Sequence, residues 1–313
     1  MGVATAVFLV SAALSADLST AAQLGARPSV CVYPSAASGE PRPSRLDAWD
    51  QIREQWREQL CQRLSRLQVE LNQAPEHALL LARQLGRELP ARPEPWALQA
   101  QAQVRLGKYA EAWPLWAAAH DRGYDFRSAH ALRSYAIAAV MTGHGEIALA
   151  TYRRLIPWLQ AWPDPLDQQC VYLEAANAAL GQGAPGLEEA AGYLAAARAG
   201  ATSSGLRAYV AGMSALVAER QGIAPSADGR LDAPEIWHFV GQVRAELPPR
   251  RWPILPRHEV LGAAALLVDA YSSVVAQELW QEHALGVREN PADAPWRVRT
   301  EQRLKRWVAG GTP

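Results

Sequence analysis

The sequence predicts an all-α chain, a solenoid of helix-turn-helix repeats closed by a C-terminal helical cap. Three observations carry this. Apolar residues Leu46, Trp49, Ile52, Trp56, Leu60, Leu64, Leu67 and Leu71 recur at about 3.6 residues per step, the period of an amphipathic helix. Small and bulky side chains alternate in RLGKYAEAWPLWAAA, residues 105–119. The same alternation restarts at Ala78, Ala112, Ala148 and Ala190, at intervals of 34, 36 and 42 residues. Intervals near 34 belong to stacked helical hairpins.

The elements follow in order. MGVATAVFLVSAALSADLSTAA, residues 1–22, holds an apolar run from Val3 to Leu14 followed by small residues, although no Lys or Arg precedes the run. It reads as a secretory signal peptide, too short to span a bilayer, and predicts an exported protein, periplasmic or secreted; a buried first helix in a cytoplasmic chain is the alternative. Residues 23–45, rich in Pro, Ser and Gly, form a linker. The first long helix ends between Asn72 and Pro75, and a second runs through Ala78, Leu81, Ala82, Leu85 and Leu89 to Pro90. Trp96 to Leu106 makes a helix, Gly107 and Lys108 turn the chain, and Tyr109 to His120 returns antiparallel. Alanine at 100, 112 and 119 lets the two axes approach to about 8–10 Å, and Trp96, Tyr109 and Trp116 fill the space beside the crossing.

Further hairpins occupy residues 129–161, with Gly143 and Gly145 at the turn, and about 166–200, with Gln182 to Gly186 as an insertion. The repeats thus fill residues 46–200, and 201–313 form the C-terminal helical region. There, helices are expected at Leu206–Gln221 and Pro234–Leu247, an extended stretch at Pro248–Pro256, a long helix from His258 to Leu285, and a last one from Ala294 to Val308. Array ends must cover their last apolar face, which this region supplies.

PEPWALQAQAQVRLGKYAEAWPLWAAA, residues 93–119, resembles the tetratricopeptide repeat family at Trp96, Ala100, Gly107, Tyr109, Ala112, Trp116 and Ala119, with Pro90 at the place of the proline that closes a preceding unit. The other units are degenerate. The resemblance implies a concave groove lined by the first helix of each hairpin, here Leu67, Glu70 and Leu71, then Ala97, Gln101, Val104 and Arg105, then Arg133, Ile137, Val140 and Met141. Such a surface suits an extended peptide or a helix. The Lys and Asn pair with which some members grip a terminal carboxylate is absent from these positions.

Composition narrows the function classes. Charged residues are 20% and hydrophobic ones 49% of 313, and formal net charge is zero, which argues against a phosphate-neutralising surface and hence a nucleic-acid partner. No later segment is long and apolar enough for a membrane span. Cys31, Cys61 and Cys170 leave two alternatives, a Cys31–Cys61 bridge stapling the entry segment to the first helix, or three thiols.

HEVLG at His258 lacks the second histidine of a zinc-protease helix, and no phosphate loop or nucleophile elbow is present. ADGRLDAPEI, residues 227–236, is similar to the second half of an EF-hand loop through Asp228, Gly229, Asp232 and Glu235, but Ala224 stands where the first acidic ligand belongs; the alternative is a turn into a Pro-started helix. Arg297, Arg299, Arg303, Lys305 and Arg306 make the last helix basic, a face for acidic lipids or simply for solvent. Trp158 and Trp162, beside prolines, are either binding anchors or inter-repeat packing.

The expected function is a non-enzymatic scaffold binding a protein or peptide in a bacterial envelope assembly, without cofactor, metal or catalytic residue. The alternative is a helical-repeat enzyme acting on cell-wall polymers through carboxylates such as Glu188, Glu189 or Glu235.

Overall fold

The computed structural model describes residues 48–162, 164–201, 204–223, 231–245, 253–289 and 291–309. The expected signal peptide and linker, Cys31 and residues 224–230 lie outside these. Among the described residues every regular element is helical. In chain order they are α1 (Ala48–Gln73), α2 (Pro75–Glu88), α3 (Glu94–Arg105), α4 (Tyr109–Asp121), α5 (Ala129–Met141), α6 (Gly145–Leu155), α7 (Pro165–Leu180), α8 (Leu187–Gly200), α9 (Ser204–Gln221), α10 (Ala233–Arg244), α11 (Arg257–Val268), α12 (Ser273–Glu289) and α13 (Arg297–Val308). Short 3-10 turns at Ile156–Ala161, Ala184–Gly186 and Pro291–Trp296 join some of them. The chain forms two compact units that part between Ala131 and Leu132, inside α5.

Helix boundaries follow local chemistry. Proline stands in the first turn of α2, α3 and α7, where its missing N–H is no loss. Asp164 caps α7 by accepting the Leu166 N–H at 2.9 Å. At the end of α3, Gly107 takes φ +73°, a left-handed conformation that costs glycine little. It lets Gly107 N–H reach Val104 O at 3.0 Å and Lys108 N–H reach Gln103 O at 2.9 Å, so two terminal carbonyls are satisfied and the chain reverses. Gly123, Gly143 and Gly222 close α4, α5 and α9 with the same pair of bonds.

In the first unit α1, α2, α3 and α4 pack in succession. Leu60, Leu64, Leu67 and Leu71 of α1 meet Ala78, Ala82 and Leu85 of α2 and Leu98 and Ala102 of α3 in one apolar cluster. Ala100, Ala112, Ala119 and Trp116 are fully buried at the α3–α4 crossing. Trp116 stacks with Phe126 and Tyr124 at ring-centre distances of 5.6 and 5.9 Å, an aromatic group that the spacing of the hairpin did not announce. Trp96, expected as a gap filler, has another job. It is part-buried, its Nε1–H donates to Pro90 O at 3.2 Å, and the Arg122 guanidinium lies 4.4 Å above its ring. Tyr109 is likewise only part-buried.

In the second unit α6 packs on α7, α7 on α8 and α8 on α9, after which α11 becomes central, touching α9, α10 and α12. Gln182–Gly186, expected as an insertion, forms a turn with Gly183 at φ +75°, and Gly186 lies so close to α7 that a Cβ there would sit 1.8 Å from Ala179 O. The long helix expected from His258 to Leu285 is two helices. Tyr271 and Ser272 N–H both donate to Val268 O at 2.9 Å, and the Ser272 hydroxyl accepts from Val275 N–H at 3.4 Å as a new cap. The apolar period runs through the break because both helices bury the same kind of face against each other. Their crossing is closer than alanine allows: Gly262 of α11 faces the His283 ring, and Gly286 of α12 faces His258.

Cys61 is disulfide-bonded, and Cys170 is a buried thiol pushed up to about 12 by burial and then by the neighbouring Glu174 carboxylate. Replacing Ala112 by leucine at the buried crossing is expected to cost about 1–3 kcal/mol in urea unfolding, whereas Ala110→Leu, two residues away and exposed, changes stability by less than about 0.5 kcal/mol.

Candidate functional site

The residues expected to line a groove separate into two sets. Leu67, Leu71, Ala97, Gln101, Val104 and Ile137 are buried and contribute packing; they present no surface to a ligand. Arg105 on α3 is exposed, while Glu70 on α1 and Val140 and Met141 at the end of α5 are part-buried. Glu70 faces His77 across the α1–α2 turn, Oε2 to Nδ1 at 3.1 Å. Arg133 has a different role from the one its helix position implies. Its guanidinium is engaged by Glu174 of α7, Nη2 to Oε1 at 2.8 Å and Nε to Oε2 at 3.0 Å, and by Asp167 through Nη1 at 3.2 Å.

Glu174 is the centre of that group, with a side chain that is 0% exposed. Its two oxygens also accept the Ile254 backbone N–H at 3.0 Å and the Tyr152 hydroxyl at 3.4 Å. A buried carboxylate is tolerable only when its lone pairs are met and a cation balances it. Here four donors from α5, α6 and the stretch before α11 do so. Burial and the Glu174 charge hold the Tyr152 phenol far above its ordinary range, so it stays a neutral donor. The group is therefore a satisfied structural node, with no oxygen left over for a substrate proton.

A second buried group differs in that respect. Arg220 of α9 pairs with Glu259 of α11, Nη2 to Oε1 at 2.6 Å, each side chain 2% exposed, and the guanidinium lies 4.9 Å from the centre of the Trp296 ring. His283 of α12, fully buried, donates from Nδ1 to His258 O at 2.7 Å and stacks on Trp280 at 4.6 Å. Arg220 Nη1, Glu259 Oε2 and His283 Nε2 have no hydrogen-bond partner among the described residues. Nothing in the sequence announces this group, since Arg220 and Glu259 are 39 residues apart and follow no motif.

The carboxylates considered for catalysis do not converge. Glu189 is held by Arg153, at 2.6 and 2.8 Å, and by the Tyr193 hydroxyl at 2.6 Å, and the Arg153 hydrogen bonds keep its carboxyl below the usual range. Glu235 is divided between Arg207 and a reciprocal capping box with Asp232 at the start of α10, while Glu188 is exposed. The capping box accounts for Asp232 and Glu235 without a cation; Asp228 and Gly229 lie outside the described residues. Among the described residues no group of three or more His, Cys, Asp or Glu could hold a metal ion, and no helix is long and apolar enough to cross a membrane. On the last helix, Arg303 is buried over the Trp280 ring at 5.4 Å and Arg299 lies 3.4 Å from Glu219, so the basic stripe is partly consumed inside the fold. Trp158 is 42% exposed and Trp162 part-buried.

Glu174→Ala is expected to lower unfolding stability by about 3–5 kcal/mol because it strands Arg133, and the double variant Arg133→Met with Glu174→Leu to recover most of the loss in the same denaturant titration. Glu189→Gln, at a pair lying largely in solvent, shifts the midpoint by no more than about 1 kcal/mol. Comparison of the chain with protein-family models, with curated proteins and with solved structures finds no match to any of the three.

Proposed function

We propose that the chain is a tetratricopeptide-like helical repeat protein that works as a non-enzymatic scaffold, binding a protein or peptide in the bacterial envelope. The observation that carries this reading is a repeated burial pattern. On the alternate helices α2, α4, α6 and α8 the same three positions are buried: Ala78, Ala82 and Leu85; Ala112, Trp116 and Ala119; Ala148, Tyr152 and Leu155; Ala190, Leu194 and Ala197. A small residue, an apolar residue four on and another three beyond that describe one stripe on each return helix. Its recurrence supports a common hairpin unit and not four unrelated helices.

Repeat arrays of this type leave the outward part of their first helices free for recognition, and peptide capture is the use to which such surfaces lend themselves. The exposed Arg105 of the first unit is one position offered for it; the part-buried Val140 and Met141 of the second are others, where Trp158 adds an exposed ring of the kind that anchors partners. Export is supported by the disulfide at Cys61, a bond that persists in oxidising compartments.

The test is affinity capture from envelope extract with the wild-type chain and with Arg105→Glu and Met141→Arg made separately. For a partner identified on the wild type, each variant is expected to weaken capture by about tenfold, the size of a 1–2 kcal/mol contact, with unchanged circular dichroism. Undiminished capture by both variants overturns the assignment of these positions to binding.

A further inference from the structure

The junction of α9, α11 and α12 holds its charge in an arrangement that responds to acid. His283 donates through Nδ1 to the His258 carbonyl, which fixes its tautomer: the lone pair is on Nε2, inside the protein and unpartnered among the described residues. A proton can enter this ring only there. Facing it from α9 is Arg220, with Glu219 one residue earlier bound to Arg299 of α13; from α11 come His258 and Glu259; and from α13 comes Arg303, stacked on the Trp280 ring that itself lies against His283. Glu259 is the carboxylate whose charge reaches His283, and it already serves Arg220 through one oxygen while the other has no partner among the described residues. The ring cannot retreat, because Gly262 backs it so tightly that even a Cβ there would stand 2.7 Å from Nδ1.

We propose that this junction is an acid-sensitive latch: a proton taken from solvent onto Nε2 of His283 makes a buried imidazolium facing the Arg220 guanidinium, and the repulsion between the two cations releases the end of α9 from α11.

The direction is set by linkage. Burial, the largest influence, lowers His283 from 6.5 to about 4 despite the opposing Glu259 charge. A folded value below the free one means the closed state binds the proton more weakly, so the latch is fully effective above pH 6.5 and weakens as pH falls towards 4. Burial pushes Glu259 up, but Arg220 and His258 outweigh it and keep its carboxyl below the ordinary range, so its own loss follows in the same direction at lower pH.

The experiment is hydrogen exchange on the full chain from pH 7 to 4, corrected for intrinsic rates. In the wild type, opening of residues 210–221 is expected to rise by about tenfold per pH unit below 6.5, the slope for one proton, while residues 78–104 show no such slope. His283→Gln, which can keep the bond to the His258 carbonyl without taking a proton, is expected to abolish the slope. A pH-independent α9 in the wild type, or an unchanged slope in the variant, overturns the latch. Should the variant not fold, the wild type decides through its histidine NMR titration. Proton uptake by His283 coincident with α9 opening supports the latch, and uptake near pH 6.5 without opening refutes it.

Discussion

The structure depends on how closely helix axes can approach. Two helices meeting through leucines stand about 10 Å apart, whereas meeting through alanine or glycine brings the backbones within reach of ordinary van der Waals contact. This chain uses both devices. Alanines in α2, α4, α6 and α8 set the spacing of the early hairpins, and Gly212 against Ala263, Gly262 against His283 and Gly286 against His258 set it around α11. The bulky rings then have defined places. Trp116 and Tyr152 fill what the small residues leave, and neither is exposed.

Close spacing also determines where charge can be placed. Helix α7 buries Glu174 and helix α11 buries Glu259, and each is balanced by an arginine from another helix. The two differ in completeness. Glu174 has four donors on two oxygens, so both oxygens are fully met. Around Glu259 an arginine nitrogen, a carboxylate oxygen and a ring nitrogen are left over among the described residues. Leftover buried polar atoms cost free energy, and a protein that keeps three of them together has a place whose balance is easily tipped.

Much of the secondary structure was legible because it rests on near-neighbour rules. The period of the leucines in α1, the glycine turns at 107 and 143 and the triplets on alternate helices are patterns within a few residues, and a linear reading detects them. The break at Asp269–Ser272 was not legible, since the apolar period on both sides is continuous and the reversal is signalled only by a serine cap. Trp96 misled for a related reason. Its position matches a packing role, but its surroundings are settled by Arg122, which lies outside the hairpin's own pattern. Of the groove residues, the periodicity distinguished helix faces but not which face its neighbours cover, so six of them became core. The buried ion pairs link residues 39 and 41 apart and leave no trace in local spacing.

One hydrogen bond bears on how the second unit is made. Trp296 Nε1–H donates to Leu180 O at 2.8 Å across 116 residues, with Pro295 resting against Gly183 beside it. The carbonyl at the end of α7 thus waits for a partner that leaves the ribosome long after it. The first unit is built instead from helices that follow one another in the chain. Its contacts are local and form early, whereas closing so wide a loop is slow and comes last. A nascent chain halted before Trp296 therefore carries one finished unit and one with its α7 terminus still open to water.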